Sequence, residues 1–317
     1  MKFKQIYLVG ALFAATCIAS SCKKDSENIF NMFSDVAVTC HGDHPLSVTD
    51  YKLVNDGDSV YIDYTITSAK EDMYSVVVER SDNRVSRTTI KITDDTKRRS
   101  YSDVVKLKIL RDGKTSYRVY GLNEKGYFIG DGGKTIVIES AASYNHIPNR
   151  KLYLPDTVTK VNPSYFSIAK NGTFNYTEAS ANPGDIDFGV YRNMLTKVEN
   201  GTTTISYEYF LYTPIANPNP LTVYDMSGWA TKRAVYFGST NTNKTNDFRT
   251  LLVSSTVLET EAKKKKFDLT KSSAKLAAGN LIYFLTPEGK YGSIHINAIT
   301  KDIDGKPYVD VSVKVQK

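Results

Sequence analysis

The sequence of 317 residues is poor in the side chains on which disulfide-stapled proteins and many enzymes depend. It contains three cysteines, four histidines and one tryptophan. Cys17 and Cys22 fall within or directly after an apolar N-terminal segment, so Cys40 is the only thiol left for a folded domain. Because one thiol cannot form an internal bridge, we exclude a disulfide framework.

Sequence motifs for catalysis are also absent. The chain has no Gly-x-Ser-x-Gly elbow, no His-Glu-x-x-His helix and no phosphate-binding glycine loop. A glycosidase would need two carboxylates about 5–10 Å apart in a cleft, whereas the acidic residues here occur mostly in predicted turns. The sequence therefore favours a protein that is not an enzyme and needs no cofactor, with a glycosidase as the open alternative.

Three short segments contain potential metal ligands. Residues 40–44, Cys-His-Gly-Asp-His, include zinc-binding side chains, but contiguous loop residues seldom surround an ion tetrahedrally, so we interpret them as a polar turn before the first strand. The pairs Asp185/Asp187 and Asp302/Asp304 supply too few oxygens for calcium. We predict no metal site.

The basic excess of the chain lies in its second half. The formal net charge is +7; residues 23–150 contain 19 basic and 19 acidic side chains, and residues 151–317 contain 20 and 15. Four of the basic residues are the consecutive lysines 263–266. A run of this kind is usually a solvated surface. We therefore exclude nucleic acid as a partner.

The start of the chain has the pattern of an export signal. Two early lysines precede an apolar run, residues 6–18, of about 13 residues, which is shorter than the ~20 needed to span a bilayer. The run ends in small residues before Cys22 and resembles the lipobox of bacterial lipoproteins, with Ala19 in place of the usual large aliphatic residue. The resemblance implies a signal peptide over residues 1–21, lipidation of Cys22 and an outer-membrane anchor. The alternative is a plain cleaved signal with Cys22 as an ordinary thiol.

Short alternating segments begin after a polar tether. We expect residues 22–44 to form the lipid-anchored tether and the first strand. Beyond them, segments such as Val60–Ile66 and Ser116–Leu122 recur at the spacing of a β-sandwich. Tyrosine is abundant, at 22 residues, and aromatic residues suit strands.

One of these segments resembles a known family. Residues 117–123, Tyr-Arg-Val-Tyr-Gly-Leu-Asn, followed by Gly126, are similar to the penultimate strand and turn of fibronectin type III and related Ig-like domains. The resemblance implies an Ig-like β-sandwich over residues 45–140. That family has a core tryptophan which is missing here, and we expect Tyr61 or Tyr64 in its place.

A second domain is expected after a linker. Residues 141–150 are interpreted as the linker, and residues 151–317 as a larger antiparallel β-rich domain with one or two short helices. The main helix is predicted over residues 254–266, capped by Asp247 or Ser255.

This second region resembles the C-terminal domain of Bacteroidetes envelope lipoproteins of unassigned function. The resemblance is carried by residues 184–189 (Gly-Asp-Ile-Asp-Phe-Gly), 276–285, 289–292 and 313–316. It implies a location in the cell envelope and a β-rich architecture, but no particular activity. The expected fold class is therefore mainly β: an N-terminal Ig-like or fibronectin III-like sandwich, then the larger β-rich domain.

The candidate ligand-binding residues surround the only tryptophan. Trp229 follows Tyr224 and Asp225 in a predicted loop, where two aromatic faces could stack on a sugar and the carboxylate could accept its hydroxyls. A lone tryptophan, however, more often belongs to a core. Exposure of Trp229 would favour glycan binding, whereas a buried Trp229 and an uncovered edge strand would favour protein interaction.

Two functions therefore remain open. The first is a lipid-anchored envelope protein with a non-catalytic binding role, such as a glycan-binding accessory of a polysaccharide uptake system. The second is a structural or adhesion-type interaction module without a small ligand. The expected partners are the membrane, through the N-terminal lipid, and either a polysaccharide or a surface protein complex.

Overall fold

A computed structural model describes residues 36–81, 86–130 and 133–317. The expected signal peptide, Cys22 and most of the tether lie outside these residues. The chain is mainly β, which confirms the predicted fold class. It divides into two compact units. Unit 1 contains residues 61–106, 115–138 and the described residues up to Lys52; unit 2 contains residues 53–60, 107–114 and 139–317.

The N-terminal strands form two sheets. A three-stranded sheet has the order β1-β3-β6, and a five-stranded sheet has the order β2-β8-β7-β4-β5. This partition of strands corresponds to that of Ig-like sandwiches. The strands are β1 (Val36–His41), β2 (Tyr51–Val54), β3 (Ser59–Ser68), β4 (Ser75–Ser81), β5 (Arg87–Lys91), β6 (Ser100–Lys108), β7 (Gly113–Leu122) and β8 (Lys134–Ser140).

Strict alternation explains why β3, the central strand of its sheet, buries one face in the core. Val60, Ile62, Tyr64 and Ile66 are buried, while the residues between them are partly exposed. Side chains of a strand alternate between its two faces, so these four point into the core. Of the two tyrosines expected to replace the tryptophan, Tyr64 is the buried one, and its burial raises the pKa of its hydroxyl.

Unit 2 is built on two antiparallel sheets. One has the order β14-β15-β16-β17-β9 and the other the order β11-β10-β12-β13. The strands are β9 (Tyr144–Tyr153), β10 (Tyr165–Ser167), β11 (Gly172–Phe174), β12 (Phe188–Glu199), β13 (Thr202–Tyr212), β14 (Tyr236–Phe237), β15 (Leu281–Leu285), β16 (Tyr291–Lys301) and β17 (Pro307–Gln316).

The main core of unit 2 lies between these two sheets. Phe166 and Phe188 of one sheet stack at 4.9 Å and join Phe284 and the buried valines of β17. Gly292 is required opposite Phe284, because a Cβ atom there would lie 2.0 Å from its ring. Gly189 is explained in the same way, since a Cβ atom there would lie 2.9 Å from the ring of Tyr212.

Each sheet of unit 2 is also covered on its outer face. A cluster of tyrosines with Trp229 covers the four-stranded sheet. A π-helical turn, Asp247–Leu251, and the helix Ser255–Ala262 cover the five-stranded sheet through Phe248 and Leu258. A second short helix is Tyr176–Ala181. No helix among the described residues is long and apolar enough to cross a membrane.

The predicted main helix is present but shorter than expected. It ends at Ala262, and its N-cap is Ser254, whose side chain accepts a hydrogen bond from the backbone of Val257. The proposed caps, Asp247 and Ser255, were therefore wrong. Ser254 alone combines the extended backbone and the free hydroxyl that a cap requires.

The linker prediction is corrected for most of its length. Residues 144–150 belong to β9, which pairs with β17. Pro148 suggested a break, but the ladder shifts register at this point, and a bulge tolerates a residue without a backbone N–H. Ile147 beside it is buried in the main core.

Candidate functional site

A polar cavity opens on unit 2 where β9 and β16 carry bulges. Its volume is about 510 Å³ and it is open to solvent. Its lining is dominated by amide side chains, and we call it the asparagine pocket. It is lined by Asn149, Asn243, Thr245, Asn246, Arg249, Ala278, Gly279, His295 and Asn297.

Two β-bulges bring Asn149 and Asn297 together. Asn297 is the extra residue of β16, since Ile296 and Ala298 pair with adjacent residues of β17. The bulge in β9 likewise sets Pro148 and Asn149 opposite one residue, Ser312. Bulges redirect side chains and are frequent beside functional sites.

The bulges converge on one hydrogen-bond network. Asn297 Nδ2 donates to Ser312 Oγ at 2.8 Å, Asp310 Oδ1 at 2.8 Å and Asn149 Oδ1 at 3.2 Å. The backbone N–H of Asn149 also donates to Ser312 Oγ at 3.2 Å. The floor of the pocket is therefore fixed before any ligand enters.

His295 forms the buried wall of the pocket and is 3% exposed. Its Nδ1 lies 2.8 Å from Asn297 Oδ1, and its Nε2 lies 3.0 Å from Thr245 Oγ1. Burial lowers the pKa of the imidazole, so the ring is neutral at pH 7. Since Asn297 Oδ1 can only accept, we assign the proton to Nδ1, and Nε2 accepts from Thr245.

The backbone around the pocket is held in unusual conformations. Asn149 and Asn243 have φ angles of 52° and 55°, in the left-handed region. Asparagine tolerates this region better than other side chains, yet a non-glycine residue there costs about 1–3 kcal/mol. Gly279, at φ 84°, adopts the same region without strain, so only the two asparagines carry this cost. Strain of this kind clusters at functional sites, which supports this pocket as the candidate site.

A buried lysine positions the cationic side of the pocket. Lys314 of β17 is 4% exposed, and its Nζ donates to the backbone oxygens of Phe248 at 2.7 Å and Leu252 at 2.6 Å. Burial lowers the pKa of its ammonium to about 8, so it remains largely protonated at pH 7. These two hydrogen bonds hold the π-helical turn that contains Arg249 in place.

The histidine of the pocket is fully engaged in hydrogen bonds within the protein. Both ring nitrogens of His295 are engaged within the protein, so neither is free to take a proton from a substrate. None of the described residues that line the pocket is a carboxylate, and Asp310 accepts a hydrogen bond from Asn297. Nowhere among the described residues do three metal-binding side chains come together.

The predicted aromatic platform is not on the surface. Trp229 is 7% exposed and Tyr224 is fully buried, both within the cluster that covers the four-stranded sheet. The Trp229 Nε1 donates to Ser180 Oγ at 3.1 Å, and the Tyr224 hydroxyl donates to Asp156 O at 2.9 Å. Their assignment as ligand-binding residues was therefore wrong, because the loop folds onto the sheet.

Asp225 is separated from these two rings. It is exposed and accepts hydrogen bonds from the backbone and hydroxyl of Ser227, both at 2.8 Å. It lines a different cavity of about 450 Å³ together with Lys232. The three residues predicted to act together thus do not form one site.

The other predicted clusters have structural explanations. Cys40 and His41 end strand β1, and His41 Nε2 lies 2.8 Å from Thr65 Oγ1. Segment 40–44 is thus partly strand, not only a turn. Asp187 is buried and accepts hydrogen bonds from Arg233 and the backbone of Ile168, at 2.8 and 2.6 Å.

Sequence reasoning missed the asparagine pocket because its residues come from four separate segments of the chain. One local signal was available. Residues 239–247, Ser-Thr-Asn-Thr-Asn-Lys-Thr-Asn-Asp, contain three asparagines. Asparagine-rich loops that adopt left-handed backbone are candidates for polar binding sites.

Comparison with known proteins gives no family. The sequence matches no protein-family model and no curated protein. Among solved structures, the chain is similar to a chicken TCR at 12% identity and a TM-score of 0.21, covering 52% of this chain and 87% of that one. It is also similar to a cycloalternan-degrading enzyme from Trueperella pyogenes at 9% identity and a TM-score of 0.20, covering 88% of this chain and 34% of that one. At these TM-scores neither likeness bears on fold or function.

Proposed function

We propose that this protein is a non-catalytic, lipid-anchored envelope protein that binds a saccharide in the asparagine pocket. The observation that carries the proposal is the fixed polar network of His295, Asn297 and Asn149 beneath an open cavity. Its amides can both donate to and accept from sugar hydroxyls. Because these groups are held in place, a ligand loses little free energy in ordering them.

Asn243→Gly provides the sharpest test of this proposal. Glycine adopts the left-handed backbone of this position without strain, so the substitution removes the amide and preserves the loop. We expect the affinity for the cognate saccharide to fall about tenfold, or about 1.4 kcal/mol, with an unchanged or slightly higher melting temperature. Calorimetric titration of a panel of purified oligosaccharides measures the affinity.

Asn200→Gly is the matched control for that experiment. Asn200 also has a positive φ, 47°, but lies in the turn between β12 and β13, away from the pocket lining. This variant should bind like the wild type. Chromatography of the sugar after incubation should recover it unchanged, and a cleaved product would contradict the non-catalytic role. Equal affinities of the Asn243 variant and the wild type would place the sugar elsewhere.

The lipid anchor is tested separately. Replacing Cys22 by alanine removes the thiol to which acyl chains would be attached, and each buried methylene contributes about 0.8 kcal/mol to anchoring. The variant is expected to move from the membrane fraction to the soluble fraction, as measured by immunoblotting after ultracentrifugation. Cys40→Ala is the matched control and should stay with the membrane. Membrane retention of the Cys22 variant would exclude the anchor.

A second candidate function, protein interaction, is favoured by the hairpin of β12 and β13. Residues 192–199 and 202–207 are exposed. By strand register Met194, Val198 and Ile205 lie on one face with Tyr207. Residues 209–213 of the edge strand are hydrogen-bonded to the chain near residues 270–276, but no described strand pairs with residues 202–208 on their outer side.

This hairpin is suited to adding a strand of a partner protein to its edge. The combination of a buried Trp229 and an uncovered edge is the outcome expected for an interaction module. If no saccharide binds in the panel above, this function replaces the first.

A further inference from the structure

We infer that the saccharide bound in the asparagine pocket carries a carboxylate group, and that Arg249 binds this group. The inference rests on the proposed function and adds the chemical class of the ligand. It depends on three observations: a guanidinium without a partner, a lining without acids, and a rigid support beneath the guanidinium.

Among the described residues that line the pocket, Arg249 is the only charged one. It is exposed, and its guanidinium forms no hydrogen bond or ion pair with any residue that the structure describes. Two lysines of the same region, in contrast, have partners within the protein. Lys244 pairs with Asp247 at 2.9 Å, and Lys265 donates to Asn241 at 2.7 Å. Arg249 therefore presents its five donors to the cavity or to water.

The surroundings of Arg249 favour a negative group. His295 is neutral, and Asp310, the carboxylate of the network, accepts a hydrogen bond from Asn297 and is not among the lining residues that the structure describes. The ammonium of Lys314 lies behind the turn, bonded to the backbone oxygen that immediately precedes Arg249. An anion entering the pocket thus meets the guanidinium of Arg249, whose turn is held by the buried ammonium of Lys314, and none of the described lining residues is an acid.

The geometry of a guanidinium selects among anions. Its two parallel N–H groups match the two oxygens of a planar carboxylate, and such bidentate bonds are shorter and stronger than neutral ones. The amides of Asn243 and Asn246 on the same rim suit hydroxyl groups. A sugar acid provides both kinds of group on one ring, whereas a neutral sugar would leave the guanidinium unused.

The experiment compares acidic oligosaccharides with their own methyl esters. Galacturonate and alginate oligomers are titrated into the full chain before and after esterification, which removes the charge and keeps the ring. Sulfated galactan oligomers without carboxylates form a third arm. We expect the wild type to bind one of the acids at least tenfold more tightly than its ester, with an affinity that falls as sodium chloride is raised.

Variants of Arg249 complete the test. Arg249→Gln is expected to bind acid and ester equally, and Arg249→Lys to show an intermediate preference, because an ammonium is a point charge without the planar fork. Arg249 is exposed, so both variants should keep the wild-type melting temperature. Arg192→Gln, which removes an exposed arginine from the hairpin of β12 and β13, is the matched control and should keep the full preference.

The outcomes separate this inference from the proposed function. Equal binding of acid and ester by the wild type, a preference confined to the sulfated arm, or a preference that survives in Arg249→Gln would each overturn the inference while leaving saccharide binding intact. Absence of binding to every oligosaccharide, charged or neutral, would overturn the proposed function and the inference together.

Discussion

Replacing Trp229 by alanine is expected to lower the free energy of unfolding by about 3–5 kcal/mol. The ring is packed against Tyr165, with centroids 5.5 Å apart, within a cluster that seals the outer face of the four-stranded sheet. Alanine would leave a cavity and remove the hydrogen bond to the Ser180 hydroxyl. Urea denaturation followed by circular dichroism measures the loss, since the variant has no tryptophan to report by fluorescence.

The same variant also distinguishes core from binding site. Saccharide affinity at the asparagine pocket should be unchanged under conditions where the protein is folded. Trp229→Phe keeps most of the packing and should lose less than half as much stability. If the Trp229→Ala variant has wild-type stability and binds no sugar, Trp229 is a ligand-binding residue, and its assignment to the core is contradicted.

Replacing Arg233 by methionine is expected to cost a similar amount, about 3–5 kcal/mol at pH 7. Arg233 donates to Asp187, which is fully buried, and makes two bonds to Glu288 at 2.7 and 2.8 Å. Methionine fills the space but leaves the carboxylate of Asp187 in the core without its counter-charge. Thermal and urea unfolding at several pH values measure the loss.

The pH dependence of this loss has a definite sign. Burial raises the pKa of the Asp187 carboxyl, and Arg233 opposes that rise. Without Arg233 the folded state holds the proton more tightly than the unfolded state. The variant should therefore lose stability relative to the wild type as pH rises from 4 towards 7. A deficit that is equal at both pH values would contradict the role assigned to Asp187.

Glu288→Gln is the control for the ion pair. Glu288 is 47% exposed on its side chain, and Arg233 lowers the pKa of its carboxyl to about 2. Because solvent screens an exposed pair, we expect a loss of about 1 kcal/mol or less. Comparison of the two variants separates the buried contact from the surface contact of the same guanidinium.

Sequence patterns over a few neighbouring residues predicted one strand and one helix correctly, because those elements depend mainly on contiguous residues. The alternation of residues 60–66 corresponds to β3, because period 2 reports directly which side chains face a core. The helix near residue 255 was also predicted, since its residues are contiguous in sequence, although its cap was assigned to the wrong residues. Its end was overestimated because the lysines 263–266 are good helix formers.

Features that depend on distant partners were not predictable. Residues 144–150 look like a polar linker with a proline, and only pairing with β17, more than 150 residues later, makes them a strand. The asparagine pocket has the same origin, because Asn149 and Asn297 meet through register shifts on two different strands. Trp229 was ambiguous for another reason: sequence does not reveal whether a loop lies across a sheet or projects from it.

The pairing of β9 with β17 has a consequence for the order in which unit 2 can form. β9 precedes every other strand of its sheet along the chain and β17 follows them all, yet the two are direct neighbours. During synthesis β9 cannot pair with β17 until β17 has been made. Until then Ile147 and Leu152 lack Val311 and Val313, with which they share a core, and remain exposed to water. Such long-range closure slows folding.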